Sequence, residues 1–249
     1  MVIDMKILIT NDDGIHAPGI KALANAFKNK HDIIVVAPDT ERSAASHGVI
    51  SMRGISYKKE TDYDYLAYSA SGLPADCVKL AVLHILNNKN PDLILSGINM
   101  GTNLSTDVIY SGTVSAAFEG IYMGIPSIAV SASYKTTDEK FDEAAQFILQ
   151  NLDKMLKLNL PITSALNINY PTHVPKVLGT KIAPLGRHLY DGGFTKHNDG
   201  LILGGNPLPP SEQDKDTDAY WFYKGYVALT PVQNDRNDYA TLKKLGEDF

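Results

Sequence analysis

Lys6-Ile-Leu-Ile-Thr10 is an apolar run that ends in Asn11-Asp12-Asp13-Gly14, and from Pro18 the chain changes to helical spacing with Ile20, Leu23, Ala24 and Phe27 on one side. A strand that leads through a short polar turn into a helix is the opening unit of a parallel α/β sheet. The alternation then recurs. Residues 32–37, Asp-Ile-Ile-Val-Val-Ala, form the continuous β-branched run expected of a strand buried on both faces. Residues 75–86, 113–123 and 139–156 carry helical spacing, and residues 92–96 and 127–131 read as strands between them. Right-handed crossovers would cover both faces of such a sheet.

Two regions depart from this rhythm. Residues 49–71 alternate polar and apolar and hold Tyr57, Tyr63, Tyr65 and Tyr68, which predicts antiparallel strands rather than a crossover. After Pro161 the pattern loosens. Residues 166–170 and 177–183 read as strands, 188–205 as glycine-punctuated turns and hairpins, 207–218 as an exposed loop, and 220–230 as a strand stopped by Pro231. We read this last third as an extension of the same domain. The chain is thus expected to be one domain over 1–249, with a core to about residue 165 and a β-rich extension over about 166–249.

Composition narrows the functional classes. With 44% hydrophobic and 20% charged residues, 249 residues suffice for a buried core. The net charge is −5 and no run of Lys and Arg occurs, so a nucleic-acid polymer is excluded as a partner on electrostatic grounds. The single cysteine, Cys77, excludes an internal disulfide and multi-cysteine metal sites; Val78, Leu80 and Ala81 around it predict a buried helical thiol. No apolar run is long enough to span a bilayer, and the first residues lack the pattern of a secretory signal. The expected setting is the cytoplasm.

The chemistry is concentrated in loops that follow strands. In a parallel sheet their C-terminal ends share one edge, where residues distant in sequence converge. Asp12 and Asp13 are adjacent carboxylates there, disfavoured unless a cation or water screens them; a solvated turn is the alternative. The hydroxyl-rich loop 37–46 contains Ser43 and Ser46. The loop after the strand at 92–96 brings Asn99 and Asn103 between glycines. Tyr110-Ser111-Gly112-Thr113 enters a helix, where a capping hydroxyl and first-turn amides favour an anion. Two carboxylates, a hydroxyl and an amide carbonyl make an all-oxygen site suited to Mg²⁺, Mn²⁺ or Ca²⁺. His16 and His47 lie in candidate site loops within reach of a substrate, and read more readily as local hydrogen-bonding residues than as metal ligands. A metal beside phosphate-binding amides points to phosphoryl chemistry. A dinucleotide oxidoreductase is disfavoured, because Asn-Asp-Asp-Gly stands where Gly-x-Gly-x-x-Gly would be. A non-enzymatic nucleotide or metal sensor on the same fold stays open.

Four motifs in this order, Ile-Thr-Asn-Asp-Asp-Gly-Ile-His-Ala-Pro-Gly (9–19), Val-Ala-Pro-Asp-Thr-Glu-Arg-Ser-Ala-Ala-Ser (36–46), Ser-Gly-Ile-Asn-Met-Gly-Thr-Asn-Leu (96–104) and Val-Ile-Tyr-Ser-Gly-Thr-Val-Ser-Ala-Ala (108–117), resemble the SurE family of metal-dependent 5′-nucleotidases. The strong resemblance covers about residues 5–131, with a weaker echo at Thr217-Asp218 and 225–231. It implies a Rossmann-like three-layer α/β/α core with a mostly parallel sheet and a C-terminal extension exchanged between subunits of a homodimer or homotetramer. It implies hydrolysis of nucleoside 5′-monophosphates, often 3′-monophosphates and sometimes short polyphosphate, with one divalent ion such as Mn²⁺ or Mg²⁺. By position, Asp12, Asp13, Ser43 and Asn99 are its metal ligands, and Asn103 with Ser111, Gly112 and Thr113 holds the phosphate. Asp12 and Asp13 are also the expected catalytic groups, accepting a proton from the attacking water. After Ser46 the chain reads His47-Gly-Val-Ile-Ser-Met, where many members carry a polar residue and then an Ile-Thr or Leu-Thr step. That departure bears on base and sugar preference.

Overall fold

The computed structural model describes residues 4–187 and 190–248; residues 1–3, His188 and Leu189 of the expected hairpin region, and Phe249 lie outside the described residues. In chain order the elements are β1 (Lys6–Thr10), α1 (Pro18–Phe27), β2 (Asp32–Pro38), β3 (Tyr57–Glu60), β4 (Leu66–Ala70), α2 (Pro74–Lys79), β5 (Leu93–Met100), α3 (Gly112–Tyr122), β6 (Ser127–Ala132) and α4 (Asp138–Leu156). The remainder comprises β7 (Ala165–Tyr170), β8 (Thr180–Ile182), β9 (Phe194–His197), β10 (Gly200–Leu203), α5 (Asp218–Tyr223), β11 (Val227–Val232) and α6 (Tyr239–Asp248). Nine strands form one sheet in the order β3-β4-β2-β1-β5-β6-β7-β11-β8, and β9 and β10 form a separate hairpin. From β4 to β7 every neighbouring pair is parallel. The α/β fold with a mostly parallel sheet is therefore as the sequence predicts.

Alternating side chains along the strands divide the core. On one face α1 and α4 bury Leu23, Phe27, Phe141 and Ile148 against Ile7, Ile9, Leu95 and Val130. On the other, α2 and α3 cover Leu8, Ile34, Val36 and Ile94 with Val78 and Ala116. Each large side chain buried in this way stabilises the fold by about 1.5–3 kcal/mol. Pro18 starts α1, where its missing N–H costs nothing. Gly19 lets that first turn lie on β5: a Cβ there would come within 1.9 Å of the Ile98 carbonyl oxygen. Among the described residues no helix is long and apolar enough to cross a membrane.

Several sequence expectations are corrected. The tyrosine-rich region does form an antiparallel pair, β3 with β4, as expected; what the sequence did not show is that β4 joins the main sheet by pairing parallel with β2. The helix expected over 75–86 changes to a π-helical turn at Leu80–Ile85. β5 runs on to Met100, which puts Asn99 on a strand, and the following loop contains a 3₁₀ turn at Ser105–Ile109. The strand expected over 220–230 is the helix α5 followed by β11, and β11 continues through Pro231. Pro231 is tolerated because the strand pairs there through only one of its edges, to β7. The strand expected at 177–183 shortens to β8. The loop at 207–218 is mostly exposed as expected, but Gln213, Thr217 and Asp218 are buried.

Candidate metal and phosphate site

At the tip of β1 the Asn11 side chain closes a turn on Gly14, donating to its carbonyl at 2.9 Å and accepting from its N–H at 3.2 Å. Gly14 has φ of 100°, the left-handed region that favours glycine. Asp12 is thereby buried under the start of α3, and Asp13 is turned toward the end of β5.

The Thr113 hydroxyl donates to Asp12 Oδ1. A Cβ on Gly112 would lie 2.9 Å from both Asp12 Cβ and Oδ2, so only glycine fits between this carboxylate and the helix. Ser111 caps α3, its hydroxyl accepting from the Val114 N–H at 3.0 Å. Asp13 Oδ2 accepts from the Met100 N–H at 2.9 Å, which places Asp13 beside Asn99. Asn99 donates to the Gly101 carbonyl at 2.8 Å. Asp12, Gly112 and Thr113 are thus in direct contact, Asp13 is tied to Met100, the residue after Asn99, and the Asn99 side chain is bonded within its own loop.

Ser43 and Asn103 are held differently. The loop carrying Ser43 is stapled to the site by its backbone: Arg42 N–H donates to the Asp12 carbonyl at 2.7 Å, and Ser46 N–H to the Tyr110 carbonyl at 3.0 Å. The Ser43 hydroxyl itself donates to Glu41 at 2.6 Å. Asn103 is pinned from below. Its Nδ2 donates to Ser131 at 2.7 Å, its N–H to Asn169 at 2.9 Å, and its carbonyl accepts from Asn167 and Asn169.

Electrostatics at this edge are uncompensated. Burial pushes the Asp12 carboxyl up, opposed by hydrogen bonds from Thr113 and from backbone N–H groups. Burial also pushes Asp13 up to about 6, with the charges of Asp12 and Glu41 adding to it and the Met100 N–H opposing. Among the described residues neither aspartate has a Lys, Arg or His ion-pair partner. No group of three or more His, Cys, Asp or Glu capable of holding a metal occurs among them either. The donor set is therefore two carboxylates with neutral oxygens, which fits a hard divalent cation and not a soft one.

Some contributors escaped the sequence reading. Glu41 lies close enough to raise both aspartates; its only signal was its place in the hydroxyl-rich loop. Asn167 and Asn169 alternate on β7, a period that reads as an ordinary strand until Asn103 is seen on top of it. Asp218 is fully buried and accepts from Ser105 N–H at 2.7 Å and from its hydroxyl, tying the extension to the loop before α3. His16 bonds Tyr63 at 2.9 Å and His47 bonds Glu119 at 3.0 Å, in keeping with local roles.

A family model described as Survival protein SurE matches residues 7–192. The chain is 43% identical over 249 residues to the 5′-nucleotidase SurE of Pelotomaculum thermopropionicum, covering 97% of this chain and 94% of that protein. It is 38% identical over 252 residues to the 5′-nucleotidase SurE of Alkaliphilus metalliredigens, covering 97% of each. The crystal structure of the SurE protein from Aquifex aeolicus superimposes with a TM-score of 0.84 at 34% identity, over 97% of this chain and 98% of that one. Likeness of this extent, in the fold and along nearly the whole sequence, makes the chain a member of the SurE family.

Proposed function

We propose that this chain is a 5′-nucleotidase, a phosphohydrolase that releases nucleoside and inorganic phosphate from nucleoside 5′-monophosphates with the help of one divalent ion, Mn²⁺ or Mg²⁺. The observation that carries the reading is the contact between the Asp12 carboxylate and the first turn of α3, through Thr113 and across Gly112. It supports the reading because a cation on Asp12 would lie next to an anion-binding helix terminus, the pairing that a phosphoryl group requires. The names of the relatives support the same substrate class.

In this reading Asp12, Asp13, Ser43 and Asn99 hold the ion. When bound, such an ion polarises the phosphoryl oxygen and lowers the pKa of an attacking water. Thr113, the first-turn amides of α3 and Asn103 orient the phosphate, and Ser111 fixes those amides by capping. The Ser43 hydroxyl, which donates to Glu41, would be the neutral oxygen available to the ion from this loop. In this reading Asp12 and Asp13 would also accept the proton from the attacking water. These residues address phosphate and cation rather than base, so 3′-monophosphates and short polyphosphate belong in the same assay. The exposed apolar residues Phe194, Leu201 and Leu203 on the β9–β10 hairpin support assembly as a homodimer or homotetramer.

The test is phosphate release from a panel of 5′- and 3′-mononucleotides and short polyphosphate, after chelation and after return of Mn²⁺ or Mg²⁺. The reading expects release that chelation abolishes and the ion restores, fastest with a 5′-mononucleotide. Nucleotide binding without turnover under every ion would favour a sensor instead.

A further inference from the structure

The loop that brings Ser43 to the site has almost no core of its own. Glu41, Ser43 and Ala44 are exposed, and residues 45–48 are only half-buried. Ala44 and Ser46 hold φ of 57° and 53°, in the left-handed region that is unfavourable for a residue with a Cβ. A strained, unburied loop keeps one conformation only where bonds from outside impose it. Just before α3 these bonds come from Ser46. Its N–H donates to the Tyr110 carbonyl at 3.0 Å and its hydroxyl to the Ile109 carbonyl at 2.8 Å.

About two turns into α3 the tie is His47. Its ring stacks with Tyr122, centroids 5.8 Å apart, and with Phe118 at 6.4 Å. Its Nε2 lies 3.0 Å from Glu119 Oε2, and its Nδ1 lies 3.3 Å from Asn234 Nδ2. An amide nitrogen only donates, so Nδ1 accepts and the ring proton sits on Nε2, where it is given to the carboxylate. Glu119 is 5% exposed, and the Lys79 ammonium donates to its other oxygen, Oε1. Both ring nitrogens and both carboxylate oxygens are thus in use. The chain Asn234, His47, Glu119, Lys79 joins the segment after β11, the Ser43 loop, α3 and the end of α2. These four side chains border a cavity of about 980 Å³, so on that side hydrogen bonds rather than packed neighbours hold the cluster.

We infer that His47 is a positioning residue of the phosphohydrolase site: its bonds to Glu119 and Asn234 fasten the Ser43 loop along α3, and so hold the Ser43 hydroxyl in register with the Ser111-Gly112-Thr113 turn. This role rests on the phosphohydrolase reading, in which Ser43 serves the ion and the turn serves the phosphate. The coupling is short. Three residues separate Ser43 from His47, and the last of them, Ser46, is bonded to the two residues that precede Ser111. Without His47 the loop's ties to α3 and its entry are the Ser46 bonds, made between neutral groups. A bond to a buried carboxylate is about twice as strong as those. His47 acts on the site through the backbone between it and Ser43.

The experiment uses the full-length protein with two substitutions. His47→Leu keeps an apolar group against Phe118 and Tyr122 and removes both hydrogen bonds; His47→Gln retains an amide that donates to Glu119. Loop anchoring is read without metal or substrate, as the rate of tryptic cleavage after Arg42 in the chelated protein. That rate is expected to rise about 10-fold in His47→Leu and to stay within about 2-fold of the parent in His47→Gln. Mn²⁺ affinity, titrated by electron paramagnetic resonance, is expected to fall about 10-fold in His47→Leu and to recover in His47→Gln. In a Ser43→Ala background, His47→Leu is expected to change the affinity by less than about 2-fold, because the hydroxyl that it positions is gone. Equal cleavage rates and equal Mn²⁺ affinities in the parent and His47→Leu overturn the proposal. So does a loss that glutamine fails to restore, or one that adds in full to Ser43→Ala, since a general weakening of the fold produces either. The expected pattern in a parent that binds Mn²⁺ but hydrolyses no mononucleotide supports the positioning of Ser43 and faults the phosphohydrolase reading alone.

Discussion

At the residue scale, Asp12 and Asp13 are linked to different neighbours and fail differently when those are removed. Thr113→Val deletes the hydroxyl that holds Asp12 Oδ1 with little change in volume. Its expected effect is a 10- to 100-fold loss of kcat/KM for mononucleotide hydrolysis, measured by phosphate release, with the fold retained by circular dichroism. Asp13 offers a pH signature. Its carboxyl is raised from 3.8 to about 6, so the folded, metal-free protein holds that proton more tightly than the unfolded chain. Ionising Asp13 therefore costs stability as pH rises from about 4 through 6, and a bound divalent ion removes that cost. Melting curves with chelator and with Mn²⁺ are expected to diverge as pH increases through this window. The adjacency of these two acids was legible in the sequence because a strand tip is where the edge of a parallel sheet lies. Their supports were not, since Met100, Thr113 and Glu41 are brought to them by pairing between strands and loops far apart in the chain.

At the element scale, α3 is the part whose placement decides the site. Ser111 caps it, and Gly112 allows it to start against Asp12. Ser111→Ala is expected to cost about 1 kcal/mol by denaturant unfolding and to raise KM for the mononucleotide, since the first-turn amides lose their anchor. Further along, Glu119 joins α3 to His47 and Lys79. Burial pushes its carboxyl up, and the hydrogen bonds and charge of those partners outweigh it and leave it below the ordinary glutamate value. Its stabilisation is then present above that ordinary value and lost as pH falls through the lowered one. The helical spacing of α1 and α4 was readable because each buries one clear stripe, whereas α3 is buried nearly all round and was legible from its small residues and its Ser-Gly-Thr entry. The parallel pairing of β4 with β2 and the α5–β11 segment escaped the sequence for a shared reason. Period-two patterning reports one covered face and not the direction of the strand, and Tyr220-Trp-Phe-Tyr223 is apolar enough to suit strand or helix.

For the whole molecule, the extension is part of the same sheet, with β11 and β8 added beyond β7. Asp218 fastens it to the site loop at Ser105, where the backbone has φ of 52°. Asp218→Ala leaves the Ser105 N–H without its buried acceptor and is expected to lower stability by about 2–4 kcal/mol in urea unfolding. The echo at Thr217-Asp218 marked this position in the sequence, but its use could not be read there, because Ser105 is 113 residues away. The account rests on a cation held between the tips of β1 and β5, beside α3. Mn²⁺ binding counted by electron paramagnetic resonance, on the parent protein and on folded Asp12→Asn and Asp13→Asn variants, tests it most directly. One ion per chain on the parent, with affinity reduced at least 10-fold in both variants, is the predicted result; equal binding in all three would contradict it.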